Sequence, residues 1–76
     1  MNEQDIRHAL WHFGHKKGYE PGSFTKYLML AFQNADPANR GRLAQAFPGL
    51  CSAMTYVMDD ENGITALEAM LKLYED

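Results

Sequence analysis

Hydrophobic residues recur along this chain at the spacing of amphipathic helices. A first segment places its apolar residues on one face when successive residues turn by about 100°. Asn2 precedes it as a capping residue, and Asp5, three residues later, completes a shortened capping box. Gly18 follows as a glycine of the kind that ends helices. The pattern predicts a helix over about residues 3–17, with an inner face of Ile6, Leu10 and Phe13.

A second helix is predicted over about residues 24–35, after a turn and with Ser23 as its cap. One face carries Phe24, Leu28, Ala31 and Ala35, with Tyr27 and Phe32 on its flanks. Only a narrow stripe near Lys26 and Gln33 is clearly polar. Since a helix that is apolar nearly all round is usually surrounded by others, we expect this helix to be central.

Proline marks the next two boundaries. Asp36 followed by Pro37 predicts the start of a third helix, which runs to about Phe47 and directs Leu43, Ala46 and Phe47 inward. Pro48 then breaks or kinks the chain. The next apolar positions therefore belong to a fourth helix or to the second half of a kinked third helix. These positions are Leu50, Ala53, Met54, Val57 and Met58.

The last segment follows an acidic turn. Thr65 with Glu68 matches a complete capping box, which predicts that the fifth helix begins at Thr65. Its inner face is Leu67, Met70, Leu71 and Tyr74. The chain is thus predicted to be all-α, a compact bundle of four or five short helices in a single domain over residues 1–76. The predicted core is Phe24, Leu28, Leu43, Phe47, Leu50, Met54, Val57, Leu67 and Leu71.

Size and composition narrow the classes of function. A chain of 76 residues forms one domain with a thin core, which leaves little room for an enclosed active site. The formal net charge of -3 argues against direct nucleic-acid binding, which depends on dense Lys and Arg. Cys51 is the only cysteine, which excludes an internal disulfide and a cysteine-based zinc site. No apolar run approaches membrane-spanning length, so we expect a soluble, cytoplasmic protein with no membrane partner.

Three histidines are the most unusual feature of the sequence. On the predicted first helix, His8, His12 and His15 lie within about 60° of one another, nearly opposite the inner face. Trp11 and Arg7 flank them. Tryptophan and arginine are favoured at protein interfaces. The sequence therefore predicts an exposed stripe that binds a partner, made of Arg7, His8, Trp11, His12 and His15.

Two other interpretations of the stripe stay open. It can be a solvated polar face. Alternatively, neighbouring pairs such as His8 with His12 can chelate zinc or nickel. His8 and His15 are about 10 Å apart along the helix axis, which is too far for all three rings to reach one ion. We therefore assign no metal ligand and no cofactor.

Other motifs give little support for chemistry. A helix-turn-helix can be drawn over residues 37–47 and 50–58, but its second helix has no Arg or Lys and runs into three acids. The turn around Gly63 resembles a calcium loop faintly, yet both key carboxylates are missing. Cys51 lies at the edge of an inner face, which favours a small buried or half-buried residue over a nucleophile. The sequence supports no enzyme.

The middle of the chain, about residues 18–50, resembles a block in short accessory proteins of tailed phages, especially those of actinobacteria. The residues that carry the resemblance are Glu20, Pro21, Gly22, Ser23, Phe24, Thr25, Leu28, Ala31, Ala35, Asp36, Pro37, Asn39, Arg40, Leu43, Ala44, Phe47 and Pro48. They are caps and core positions, so they concern the fold and name no catalytic residue. The resemblance implies a phage-encoded protein acting inside a bacterial cell, commonly by binding and redirecting a host protein.

These observations lead to one functional expectation with two alternatives. We expect a protein-binding module that inhibits a host or anti-phage defence protein, for which a CRISPR effector is one example. The first alternative is a structural or self-assembling phage component, a small homodimer. The second is a metal-responsive or nucleic-acid-binding regulator, which the charge and the histidine spacing disfavour.

Overall fold

The computed structural model describes residues 1–75 and contains five α-helices. They are α1 (Glu3–His12), α2 (Ser23–Asn34), α3 (Pro37–Ala46), α4 (Pro48–Asp59) and α5 (Gly63–Leu71), and a short 3-10 helix (Lys72–Tyr74) follows. The described residues form no strand, which confirms the predicted all-α bundle. None of these helices has the length and apolar character needed to cross a membrane.

Two of the predicted helix starts are confirmed by their hydrogen bonds. The Asn2 side chain accepts from the backbone N–H of Asp5 at 2.8 Å, and the Asp5 carboxylate accepts from the N–H of Asn2 at 3.1 Å. This reciprocal pair is the capping box that the sequence predicts. At α3, the Asp36 carboxylate accepts from the N–H of Asn39 at 2.8 Å, and Pro37 is the first helical residue. Local sequence signals therefore determine both starts.

The chain breaks between α3 and α4 instead of continuing as one kinked helix. Phe47 has φ -133° and ψ 65°, which is outside the helical region. Pro48 then occupies the first position of α4, where its missing N–H removes no hydrogen bond within the helix. Of the two alternatives that the sequence left open, the separate fourth helix is therefore the correct one.

Helix α4 is the centre of the bundle, and α1, α2, α3 and α5 all pack against it. The buried core consists of Ile6, Ala9, Leu10, Leu28, Met29, Phe32, Leu50, Cys51, Ala53, Met54, Leu67 and Leu71. The expectation that the second helix is central is wrong. Helix α2 packs on the bundle with one side only, and it leaves Phe24 and Tyr27 on the other.

The predicted core is confirmed at five positions, which are Leu28, Leu50, Met54, Leu67 and Leu71. Leu43, Phe47 and Val57 are half-buried and pack against that core. The prediction for Phe24 is wrong, because its side chain is 65% exposed. Tyr74, predicted on the inner face of the last helix, is also exposed, since α5 ends at Leu71 and the chain tightens into the 3-10 helix.

The predicted capping box at Thr65 is wrong as well. Helix α5 begins two residues earlier, at Gly63, and Thr65 is an exposed residue of its first turn. Gly63 lies so close to α4 that a Cβ atom added there would overlap the carbonyl oxygen of Tyr56. Its N–H donates to the carbonyl of Asp60 at 2.9 Å. This contact between helices therefore determines where α5 starts, and the local capping pattern does not.

Candidate protein-binding face

Helix α1 ends well before its predicted end, because Gly14 adopts a left-handed conformation with φ 79°. The N–H of His15 donates to the carbonyl of Leu10 at 2.9 Å, and the N–H of Gly14 donates to that of Trp11 at 3.0 Å. These two bonds form a Schellman motif, in which glycine has no steric penalty. The prediction that Gly18 ends the helix is therefore wrong.

Gly18 has a different role. The chain after Gly14 turns back along α1, and the N–H of Tyr19 donates to the carbonyl of Arg7 at 3.1 Å. At Gly18 the two segments are so close that an added Cβ would overlap the backbone of Trp11. A residue without a side chain is therefore required where the returning segment crosses the helix.

The predicted stripe of three histidines does not form. His15 lies beyond the end of α1, and its Nε2 is 3.2 Å from the Glu68 carboxylate on α5. Its Nδ1 accepts from the N–H of Lys17 at 3.0 Å. The imidazole of His15 thus connects α1 to α5, and its side chain is only 17% exposed. Among residues 1–75, no group of three or more His, Cys, Asp or Glu side chains is arranged to hold a metal ion.

Arg7 also differs from its predicted position. Its residue is 9% exposed, whereas the sequence placed it beside an exposed stripe. The guanidinium pairs with Glu3 at 3.1 Å, donates to the carbonyl of Lys17 at 3.0 Å and lies 4.4 Å from the ring centroid of Tyr19. Arg7 therefore fastens the returning segment onto α1.

The other three predicted residues remain together where α1 meets α2. Trp11 and His12 line a groove of about 400 Å³ with Tyr27 and Leu30. His12 Nε2 lies 2.8 Å from the side-chain oxygen of Gln33, which fixes the imidazole against α2. Trp11 is half-buried. This groove is the first part of a candidate binding face.

The second part of the face lies beside Phe24. His8 lines a separate groove of about 240 Å³, also formed by α1 and α2, together with Phe24 and Phe47. The rings of Phe24 and Phe47 pack with their centroids 5.7 Å apart, and Phe24 still keeps most of its surface exposed. We call the whole surface the α1–α2 face, and it consists of His8, Trp11, His12, Phe24, Tyr27 and Leu30.

The α1–α2 face is aromatic, and one charged residue lines each of its two grooves, Lys26 in the first and Asp5 in the second. Tyr27 is 72% exposed and Leu30 is 46% exposed. The outward positions of α2 carry no formal charge and are Ser23, Phe24, Tyr27, Leu30, Ala31 and Asn34. Lys26 is the nearest cation, and it is paired with Glu20 while lying 5.2 Å from the ring centroid of Trp11. Large apolar side chains in a neutral setting are typical of the centre of a protein interface.

The sequence prediction missed the α2 part of this face, although a signal was present. Helix α2 has apolar residues on more sides than one partner surface in a small bundle can cover. Assigning Phe24 and Tyr27 to the core leads to the prediction of a central helix. The same pattern also fits a helix that packs one apolar face on the core and presents a second apolar face to another molecule.

The remaining candidates from the sequence lie in α4. Its buried residues include Leu50 and Met54, so the helix drawn as a DNA-recognition helix is the core of the bundle. Cys51 is 2% exposed, which confirms its prediction as a small buried residue. Burial raises the pKa of the Cys51 thiol. The thiol therefore stays protonated at neutral pH, and a protonated thiol is a poor nucleophile.

Comparison with known proteins finds no match. No protein-family model fits the chain, and no curated protein or solved structure is significantly similar to it. The resemblance of residues 18–50 to short phage proteins therefore remains an expectation from the sequence. The surface of the molecule is the basis for inferring its function.

Proposed function

We propose that this protein is a small protein-binding module that docks onto a host or phage protein through the α1–α2 face. The observation that carries the proposal is the exposure of Phe24 and Tyr27 on α2, at 65% and 72%. Single exposed apolar residues are ordinary on protein surfaces, but a contiguous aromatic patch marks an interaction site. Trp11 adds an indole at the edge of the same patch.

The composition of the face matches that of binding hot spots. Tryptophan and tyrosine dominate hot spots because they bury a large area with few rotatable bonds. A standard interface takes about 800 Å² from each partner. That area is about a sixth of the 4760 Å² surface of this chain. The α1–α2 face, which runs along one side of the two helices, is the part of the surface best suited to supply it.

The biological role follows from the resemblance and is part of the proposal. A phage-encoded accessory protein of this size can inhibit a host or anti-phage defence protein, such as a CRISPR effector, by covering its working surface. This mechanism requires no cofactor and no catalytic residue, because the rigid face alone excludes the natural partner. Trp11, His12 and His8 are the predicted binding residues that take part, joined by Phe24, Tyr27 and Leu30.

The test is capture of the partner from a bacterial host lysate by the tagged protein, followed by affinity measurement with the purified partner. Tyr27→Ser should weaken the complex by about 2 kcal/mol or more, as expected for a hot spot, with an unchanged melting temperature. Leu73→Ser is the matched control, since Leu73 is 84% exposed and lies outside the α1–α2 face. Equal affinities for Tyr27→Ser and the wild-type chain would contradict the proposal.

A second candidate function is self-assembly into a small homodimer. The outward positions of α2 carry no formal charge, so two copies can meet along this helix without bringing like charges together. This matters in a chain with a net charge of -3. Light scattering behind size exclusion separates the candidates. A dimeric mass that becomes monomeric with Tyr27→Ser favours self-assembly, whereas a monomer across the accessible concentration range favours the binding module.

A further inference from the structure

A second groove lies between α3 and α4, and Pro48 lines both it and the groove beside Phe24. It has a volume of about 410 Å³. Ala44 of α3 forms one side, and Cys51, Ser52 and Tyr56 of α4 form the floor and the other side. The α4 positions recur every three or four residues, so the groove follows the helix axis. We call it the α3–α4 groove.

Apart from Tyr56 and the two aspartates, the lining of the α3–α4 groove consists of small uncharged side chains. The Thr55 hydroxyl donates to the carbonyl of Cys51 at 2.8 Å, so it is satisfied within its own helix. The Cys51 side chain is almost fully buried and presents a neutral thiol. Small residues along a helix allow another helix to approach closely, because the ridge of one fits the groove of the other. An apolar helix is thus the shape that this floor fits.

One end of the groove is acidic. Asp59 and Asp60 line it, and Glu61 follows in the chain. Arg40 pairs with Asp59 at 3.5 Å, whereas Asp60 and Glu61 have no ion-pair partner within residues 1–75. These carboxylates stand at the C-terminal end of α4, where the helix dipole disfavours negative charge. Asp60 and Glu61 also precede the N-terminus of α5, where the dipole favours negative charge, and Asp60 accepts from the N–H of Asn62 at 2.8 Å. The acidic end still carries more negative than positive charge, which a cation supplied by another molecule would offset.

We infer that the α3–α4 groove binds a basic amphipathic helical segment of a partner protein. Apolar side chains of that segment lie along the small residues of α4, and a Lys or Arg at its end meets Asp59 and Asp60. The described residues form no strand, so a partner cannot bind by adding a strand to a sheet of this molecule. Binding of a helix in a groove is the mode that suits an all-helical surface. None of the six residues of the α1–α2 face lines this groove, although Pro48 lines both it and the groove beside Phe24. Under this proposal, the chain therefore has a second binding surface.

The probe is a fluorescein-labelled helical peptide of about 18 residues, five helical turns. It carries leucines on one face and lysines elsewhere, and fluorescence anisotropy gives its Kd. The control peptide has glutamate in place of every lysine. We expect binding of the lysine peptide to the full-length protein and none of the glutamate peptide. Equal binding of the two peptides would overturn the assignment, because the acidic end would then contribute nothing.

Two charge-matched double variants show whether the lysine peptide binds the α3–α4 groove or is attracted only by the net negative charge of the protein. The double variant Asp59→Asn and Asp60→Asn and the control Glu20→Gln and Glu75→Gln each change the formal net charge from -3 to -1. The first pair should raise the Kd about fivefold or more, and circular dichroism checks that the variant is folded, because the substitution also removes the ion pair of Asp59 with Arg40. The control pair should change it less than about twofold, because exposed charges at a distance are screened. Similar losses with both pairs would overturn the proposal.

The single cysteine locates the peptide. Because Cys51 is 2% exposed, a thiol-reactive dye should label it slowly. A peptide lying in the groove should slow the labelling at least threefold when most of the protein is bound. Unchanged labelling at saturating peptide would place the peptide elsewhere. Slower labelling as the protein concentration rises without peptide would show that a second copy occupies the groove. Tyr27→Ser should leave peptide affinity unchanged. A negative result for the α3–α4 groove would therefore not contradict the proposal for the α1–α2 face, and the reverse also holds.

Discussion

The two halves of this small bundle use hydrophobic residues differently. In the half built from α1, α4 and α5, apolar side chains such as Met54, Leu67 and Leu71 have no exposed surface. In the other half, α2 leaves two aromatic rings exposed, and α3 buries no residue at all. The apolar content of a helix therefore does not decide whether it lies in the core. Helix α2 contacts α1, α3 and α4, yet these neighbours cover only one of its sides. What decides burial is therefore which sides of a helix its neighbours cover.

The comparison also separates stability from binding. Both candidate surfaces, the α1–α2 face and the α3–α4 groove, involve the helices of the less buried half. The folding free energy comes mainly from the other half, because burial of apolar area is its dominant favourable term. Substitutions in the two halves should consequently have different effects. Five substitutions, the first two compared directly, test this division from the largest expected effect to the smallest.

The largest effect is expected for Leu67→Ala, a truncation in the fully buried half. Leu67 has no exposed surface, so the substitution leaves a cavity and should lower the free energy of unfolding by about 2–5 kcal/mol. Phe24→Ala removes a larger side chain from the exposed half and should lower it by less than about 1 kcal/mol. Urea denaturation followed by circular dichroism measures both. Equal losses would erase the distinction between the halves.

Gly63→Ala tests the contact between α4 and α5. An alanine Cβ would overlap the backbone carbonyl of Tyr56, and a backbone atom cannot move aside as a flexible side chain can. The substitution should lower the free energy of unfolding by about 1–3 kcal/mol through overpacking. An unchanged denaturation midpoint would show that α5 can shift away from α4 at no cost.

Gly41→Ala makes the same kind of substitution in the less buried half, where it should stabilise the protein. Gly41 lies within α3, is exposed, and has nothing within 4 Å of an added Cβ. Alanine should therefore raise the free energy of unfolding by about 0.5–1 kcal/mol, because it restricts the unfolded chain and favours the helix. The same glycine-to-alanine change thus reverses its sign between the two halves. A destabilised Gly41→Ala variant would mean that α3 packs more tightly than its exposure indicates.

The smallest effect is expected for Thr65→Ala. From the sequence, Thr65 is a capping residue whose loss is costly, but in the structure it is an exposed residue inside α5. Its substitution should change the free energy of unfolding by no more than about 0.5 kcal/mol. Thermal denaturation measures this directly. A loss above about 1 kcal/mol would restore the capping role that the structure does not show.

The features that the sequence predicts correctly depend on nearby residues. Asn2 with Asp5 and Asp36 with Pro37 act within three residues of a helix start, so the sequence contains all the groups involved. The break at Pro48 is equally local. The all-α class and the inner face of α4 follow from the repeat of apolar positions over several turns, which is the strongest signal in a sequence.

The features that the sequence does not predict depend on contacts between distant segments. The returning chain needs a glycine at Gly18 because it crosses the backbone of Trp11 there, and α5 begins where Gly63 meets Tyr56 of α4. His15 reaches Glu68 across more than fifty residues of chain, a pairing that no local pattern encodes. For α2, an apolar surface on nearly all sides gives no preferred face. The face that α2 buries is centred on Leu28, Met29 and Phe32. Around the helix axis it is rotated from the predicted face by less than the angle between successive residues, which is about 100°.

The absence of a buried side chain in α3 has a consequence for the motions of the molecule. Native proteins open locally, and segments with few buried contacts open with the lowest free energy. The backbone amides of α3 should therefore exchange with solvent deuterium before those of α4, without unfolding of the whole chain. Because Ala44 of α3 forms one side of the α3–α4 groove, each such opening widens that groove. The helix expected to open most readily is thus the one whose movement would let the groove accept segments of different thickness.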